Sequence, residues 1–247
     1  NARHNRDKIT TNDPKAIWIE LKEKMSNSCD RESCWLRSKF MEGNVDSELL
    51  NYTFAPKSNN IWKSNEWLSS LDIESVMKQY EKYYKCFEFL GPSPIDFDKK
   101  KLFGQCVWTE LCNFNLKEHL DKGKTKIGVV FNTDPHYKAG SHWIALFIDI
   151  KKQFIYFFDS NGNYVPKRIE KFVKRVQKQA KFLNIDLSFE ENYPRIHQDR
   201  DSECGIYVIY FIVKLIQGKN RKFFKDQKIL DTDMLKLRKK YFNECLK

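Results

Sequence analysis

The chain has 247 residues, 41% of them hydrophobic and 15% aromatic, and a formal net charge of +11. That length and apolar content can fill a sizeable core and exclude an intrinsically disordered chain. No run approaches the roughly twenty apolar residues of a membrane span, while the basic balance favours acidic partners, whether protein or nucleic acid.

Residues 1–57 read as an N-terminal helical arm. Asp13-Pro14 starts a helix on which Ile17, Leu21 and Met25 share a face, and further helices are expected over 29–40 and 47–54. Proline and a polar cluster in Ala55-Pro-Lys-Ser-Asn-Asn60 separate this arm from a second part, residues 58–247. Ser69 or Ser70 can cap a helix carrying Ile73, Val76, Met77 and Tyr80 on one stripe. The two prolines of Gly91-Pro-Ser-Pro94 predict a loop, and Cys106 to Phe114 a buried helix. Ile127 to Phe131 reads as a strand ending in the turn Asn132-Thr-Asp-Pro135. His142 to Ile148 and Gln153 to Phe158 form a hairpin, apolar on both faces. After Val165-Pro166 a helix buries Ile169, Phe172, Val173, Val176 and Ala180 and turns Lys167, Arg168, Lys171, Lys174, Arg175, Lys178 and Lys181 outward. Ile185 to Phe189 is a further strand. Ile206 to Val213 contains no charge and belongs in the core, and Asp231-Thr232 caps a last helix carrying Met234, Leu235, Leu237, Tyr241 and Leu246. The fold class is therefore α+β, a small mixed sheet flanked by helices.

Chemistry concentrates where the polar stretch Asp199-Arg-Asp-Ser-Glu203 runs into Cys204-Gly205. A thiol at the start of a helix meets unpaired N–H groups and the positive end of the dipole, which favour thiolate. The competing reading is a small apolar residue in a core. Gly205 would leave room for a substrate backbone, and the Gln198 amide could donate to an oxyanion. His142, at the head of a strand, is the candidate base, with His136 and His197 as rivals. Asp159 or Asn161, at the end of the next strand and on one face by the period of two, would orient it by accepting from Nδ1–H. The seven cysteines lack the paired spacing of a zinc site and read as reduced thiols in a cytosolic compartment, with no metal or cofactor expected.

His142-Trp143 heading a strand, Asp159-Ser160 ending the next, Gln198 and then an acidic-Cys204-Gly205 helix start occur in an order that resembles the SUMO-protease and adenovirus-protease clan of cysteine peptidases, and its viral, polyprotein-processing members most. The resemblance implies a catalytic set of Cys204, His142, Gln198 and Asp159 or Asn161, and places Asn132 beside the site. It also implies that Trp67 and Trp143 line the substrate channel, although Trp67 reads equally well as a core anchor. Two indoles would leave a passage only for residues without side chains, which selects Gly-Gly-Xaa sites. The expected role is polyprotein processing in virion maturation, in host cytoplasm and virion, by a monomer.

Three alternatives share these residues. A peptidase deconjugating SUMO or ubiquitin would use the same site, as would an acyltransferase. A basic nucleic-acid-binding module would leave Cys204 structural, but the aromatics lie in apolar runs rather than among the basic residues, so only weak nucleic-acid contact is expected.

Overall fold

The computed structural model describes residues 9–13, 16–17, 19–20, 23, 57–58, 66–101 and 104–244. Five strands form one mixed sheet in sequence order: β2 (Phe87–Pro94), β3 (Lys126–Asn132), β4 (Trp143–Asp149), β5 (Phe154–Phe158) and β6 (Ser188–Glu191). The β2–β3 and β5–β6 pairs are parallel, and the β3–β4 and β4–β5 pairs antiparallel. A separate parallel pair joins β1 (Lys57–Ser58) to β7 (Asn243–Glu244), so the position expected to divide arm from core is tied to the other end of the chain.

The period of two sorts the sheet's side chains into two cores. Ala145, Phe147, Tyr156 and Phe158 meet α1 (Ser70–Tyr83), α5 (Cys204–Ile216) and α7 (Asp231–Tyr241) on one face. Ile144, Leu146, Ile155 and Phe157 meet α4 (Lys167–Phe182) and residues 111–116 on the other, where α2 (Thr109–Cys112) and α3 (Leu116–Asp121) lie. All seven residues of β4 are buried, as a strand covered on both faces requires. A short α6 (Phe223–Asp226) adds Phe224 to the first core.

The expected α+β architecture and hairpin are present. The buried face of α4 is Ile169, Phe172, Val173, Val176 and Ala180, though Arg175 leaves the solvated face to donate to the Leu111 and Cys112 carbonyls. Ser69 caps α1 through a reciprocal box with Asp72. Asp13 accepts from Ala16 N–H at the first expected helix start. Leu21, Met25, Leu246 and the helices expected over 29–40 and 47–54 lie outside the described residues.

Four expectations need correction. Gly91-Pro-Ser-Pro94 belongs to β2, not to a loop. β2 is an edge strand, and a register shift between Leu90 and Ser93 takes Gly91 and Pro92 out of the ladder, where a missing N–H costs nothing. Only Thr109–Cys112 of the Cys106–Phe114 stretch is helical. The turn into that helix brings the Cys106 and Cys112 Cα atoms to 6.2 Å and the two form a disulfide, so they are not reduced thiols. Cys86 and Cys204 are free among the described residues. β6 begins at Ser188, three residues later than expected.

Gly205 serves packing. A Cβ there would lie 2.8 Å from Leu68 Cβ, so Leu68 occupies the space the sequence assigned to a substrate backbone. Gly205→Ala should destabilise by about 1–3 kcal/mol through overpacking. In a Leu68→Gly background, which removes the Cβ that the new methyl would meet, chemical denaturation should show that penalty shrink.

Candidate active site

Three chain segments converge at one end of the sheet. Antiparallel pairing of Asn132 with Trp143 leaves His142 just ahead of β4, where its carbonyl accepts from Thr133 N–H at 2.9 Å. β5 ends at Phe158, so Asp159 emerges next to it. The backbone of Asp159 is held from both sides by one buried amide: Asp159 N–H donates to Asn192 Oδ1 at 2.9 Å, and Asn192 Nδ2 donates to the Asp159 carbonyl at 2.8 Å. Cys204 opens α5 and is 1% exposed.

The His142 ring joins the other two. Its Nε2 lies 2.7 Å from Asp159 Oδ1, and the ring also hydrogen bonds the Cys204 side chain. Asp159 thus engages Nε2, which leaves Nδ1 for the thiol, the reverse of the tautomer expected from the sequence. The choice between Asp159 and Asn161 falls to the carboxylate. Asn161 is exposed and contributes its backbone N–H, 2.8 Å from Asp159 Oδ1, while Asn163 Nδ2 donates to Asp159 Oδ2 at 2.9 Å. The residue offered as an alternative orienter of the ring instead helps to hold the orienter, because the chain turns at Gly162 before the Asn161 side chain can reach the imidazole.

Burial opposes a charge on His142, yet hydrogen bonds to Asp159 and Cys204 and the negative charge of both outweigh it and raise the ring to about 9. The imidazole is therefore protonated at neutral pH, the state that favours a neighbouring thiolate. His197 behaves oppositely. Burial, with a hydrogen bond from Nε2 to the Phe224 carbonyl partly offsetting it and Arg195 and Lys228 adding to it, lowers the ring to about 4. Its Nδ1 accepts from Ile229 N–H. It is a neutral core residue and no rival base. His136 is bound to Asp96 at 2.7 Å.

Gln198 is fixed before the nucleophile: Ser160 Oγ donates to Oε1 at 2.7 Å, and Nε2 donates to the Arg200 carbonyl, which uses one of its two N–H bonds. Trp143 is buried and donates Nε1–H to the Leu68 carbonyl at 2.9 Å. Trp67 is 47% exposed, so it is no core anchor. Asn132 holds the loop leading to His142, its Oδ1 accepting from Asp134 and Ser141 N–H.

Sequence reasoning missed the supports beneath the nucleophile. Glu203 and Arg238 form a fully buried ion pair at 2.9 Å, and Arg238 Nη2 also donates to the Ser202 carbonyl at 3.0 Å. Asp231 does not cap its own helix. Its carboxylate accepts from Asp199 N–H, Arg200 N–H and Tyr207 Oη–H, binding the polar loop to α7. An Arg in a stretch as basic as Met234 to Lys240 gives no hint that it is buried, which is why the sequence could not single it out.

Over residues 109–247 the chain matches the Ulp1 protease family, C-terminal catalytic domain. A putative thiol protease of Acanthamoeba polyphaga mimivirus is 32% identical over 215 residues, covering 84% of this chain and 67% of that one. The chain belongs to the Ulp1 protease family and is a cysteine-type peptidase. The cysteine protease S273R of African swine fever virus is 24% identical over 237 residues, 90% of this chain and 86% of the relative. A crystal structure of the African swine fever virus pS273R protease superposes on the peptidase with a TM-score of 0.69 at 21% identity, covering 96% of this chain and 94% of that one, and shares its fold. The Ulp1 protease domain solved in complex with Smt3, the yeast ortholog of SUMO, gives a TM-score of 0.50 at 20% identity over 75% of this chain and 83% of that one.

Removing one partner of a buried ion pair strands the other charge. Arg238→Met should cost about 3–5 kcal/mol in urea denaturation, and Glu203→Gln in the same chain should recover part of it.

The two histidines set opposite pH limits. His142, raised in the fold, contributes stability fully present below its ordinary 6.5 and lost as pH rises through about 9. His197, lowered, contributes stability present above 6.5 and lost as pH falls through about 4. Melting temperature should therefore decline on both sides of the region near 6.5, and His197→Gln should flatten the acid side alone.

Proposed function

We propose that the peptidase is an endopeptidase that cleaves polyproteins after Gly-Gly-type sites through an acyl-enzyme formed on Cys204, and that this serves virion maturation in host cytoplasm and virion. The observation that carries the mechanism is the His142 ring held between Asp159 and Cys204 at the start of a buried helix.

In this reading the Cys204 thiolate attacks the scissile carbonyl carbon. The oxyanion is received by the Cys204 N–H at the helix N-terminus and by the Gln198 N–H that Arg200 leaves unused. The C–N bond then breaks, and the proton carried by His142 passes to the leaving amine. Water next attacks the thioester with His142 as base, releasing the acid and restoring the imidazolium–thiolate pair. Asp159 fixes the ring and stabilises its charge. Trp143 wedged against Leu68, with Leu68 filling the space over Gly205, supports a narrow approach to the sulfur that suits glycines. The Smt3 complex of a relative sharing the fold keeps a SUMO-like substrate as the second reading.

Incubation with a Gly-Gly-containing polyprotein tests the proposal. Cys204→Ala and His142→Ala should each abolish cleavage with the fold intact, because these groups act as a unit. Gln198→Ala should lose about a hundred- to a thousandfold in kcat, and Asn161→Ala little. Asp159→Asn should move the alkaline limb of kcat/KM down from about 9, the value of the His142 ring in the native site. Turnover retained in folded Cys204→Ala, or cleavage only of a SUMO-like conjugate, would overturn the first reading.

A further inference from the structure

A cleft of about 380 Å³ opens on the side of Trp143 away from the ladder, between the end of β2 and the loop that leads to His142. Three of its walls are prolines, Pro92, Pro94 and Pro135, which hold it rigid and contribute no N–H. The polar character of the lining therefore comes from side chains. Lys101 and Lys138 are exposed cations, and Asp134 is the one acid in the lining. His136 lies there too, held by Asp96.

Two further lining residues carry a specific signal. Ser93, 1% exposed, and Trp108 each bury a polar atom, Oγ and Nε1, that has no hydrogen-bond partner within the protein. A buried donor without a partner is costly and uncommon in native folds. Here two belong to residues that line one cleft. Donors without acceptors, together with two lysines, fit a ligand that supplies negative charge and lone pairs.

The cleft adjoins the candidate active site through Trp143, the residue after His142. Trp143 borders the cleft, its indole donates to the Leu68 carbonyl, and Leu68 packs against Gly205 beside Cys204, so the indole and Leu68 lie between the cleft and the start of α5. An extended peptide advances about 3.3 Å per residue, and spanning that indole takes about two to four residues. We propose that this cleft is a specificity subsite for the carboxylate side chain of an acidic residue in the peptide substrate, about two to four residues from the bond that Cys204 cleaves. The inference rests on Cys204 being the nucleophile. The donors receive the carboxylate, the lysines neutralise it, and the prolines and the Trp143 face pack its methylene stem.

Binding to the full chain carrying Cys204→Ala separates this idea from cleavage. Peptides with one Gly-Gly site and Glu, Gln or Lys placed two to four residues away, on either side, would be titrated by fluorescence anisotropy. The Glu peptide should bind about three- to tenfold more tightly than its Gln counterpart, as expected for a partly exposed charge pair backed by hydrogen bonds. Lys101→Glu with Lys138→Glu should reverse the order of Glu and Lys peptides, and Trp108→Phe should reduce the Glu advantage without reversing it. Equal affinity for Glu and Gln peptides, or a preference that survives the charge reversal, would overturn the subsite. A wild-type chain that cleaves Glu and Gln peptides at the same kcat/KM would also overturn it while leaving Cys204 as nucleophile. Acid-selective binding by a chain whose wild type cleaves none of the peptides would leave an acid-binding cleft standing, overturn its role as a subsite and count against cleavage at Gly-Gly sites.

Discussion

The seating of α5 on the sheet is the constraint from which the site's geometry follows. Eleven of its thirteen residues are buried, and its first residue is the candidate nucleophile, Cys204. A helix covered on nearly every side has no freedom to slide or rotate without breaking close packing. Cys204 is thereby fixed relative to β4 and β5, whose ends carry His142 and Asp159. The position is reinforced where the helix begins, since Gly205 lies against Leu68, and Leu68 accepts the indole hydrogen of Trp143. Trp143 is the residue after His142, so nucleophile and base are braced through one short chain of contacts.

The polar loop before Cys204 needs a different support, because residues 199–203 cannot be held by apolar burial. It is held by α7 instead. Asp231 takes the Asp199 and Arg200 N–H groups, and Arg238 takes the Glu203 carboxylate and the Ser202 carbonyl. A buried ion pair adds little net stability over an apolar pair, but its hydrogen bonds are directional. At this place direction matters, because the loop sets the orientation of both Gln198 and the first N–H of α5. The loop is also gripped from the other side, where the Ser160 carbonyl accepts from both His197 and Gln198 N–H.

How far the sequence could be read follows from which interactions are local. The hairpin, the buried face of α4 and the cap on α1 were legible because periodicity and capping lie in consecutive residues. The convergence of His142, Asp159 and Cys204 was legible because their motifs sit at element boundaries. Asn192, Arg238 and Asp231 act across about thirty residues of chain or more and have no local pattern that marks them. The choice between Asp159 and Asn161 fell in between. The period of two puts both on one face, but β5 ends at Phe158 and the chain turns over Asp159–Gly162, so that rule does not extend to Asn161. The β2 prolines misled for the same reason in reverse, since only the pairing order reveals that β2 is an edge.

Trp143 links selectivity at the scissile bond to selectivity further along the peptide. With one edge of the indole tied to the Leu68 carbonyl, the ring cannot swing aside to admit a bulky residue near Cys204 without giving up a buried hydrogen bond. The same fixed ring forms a wall of the proline-lined cleft. In the proposed reading a glycine pair would thread past this ring, but glycines offer few groups for recognition and carry a high entropic cost of ordering. A second anchor beyond the ring offsets that cost. It also explains why donors without partners persist in Ser93 and Trp108: they are costly in the free protein and become useful only when an acceptor from the substrate arrives.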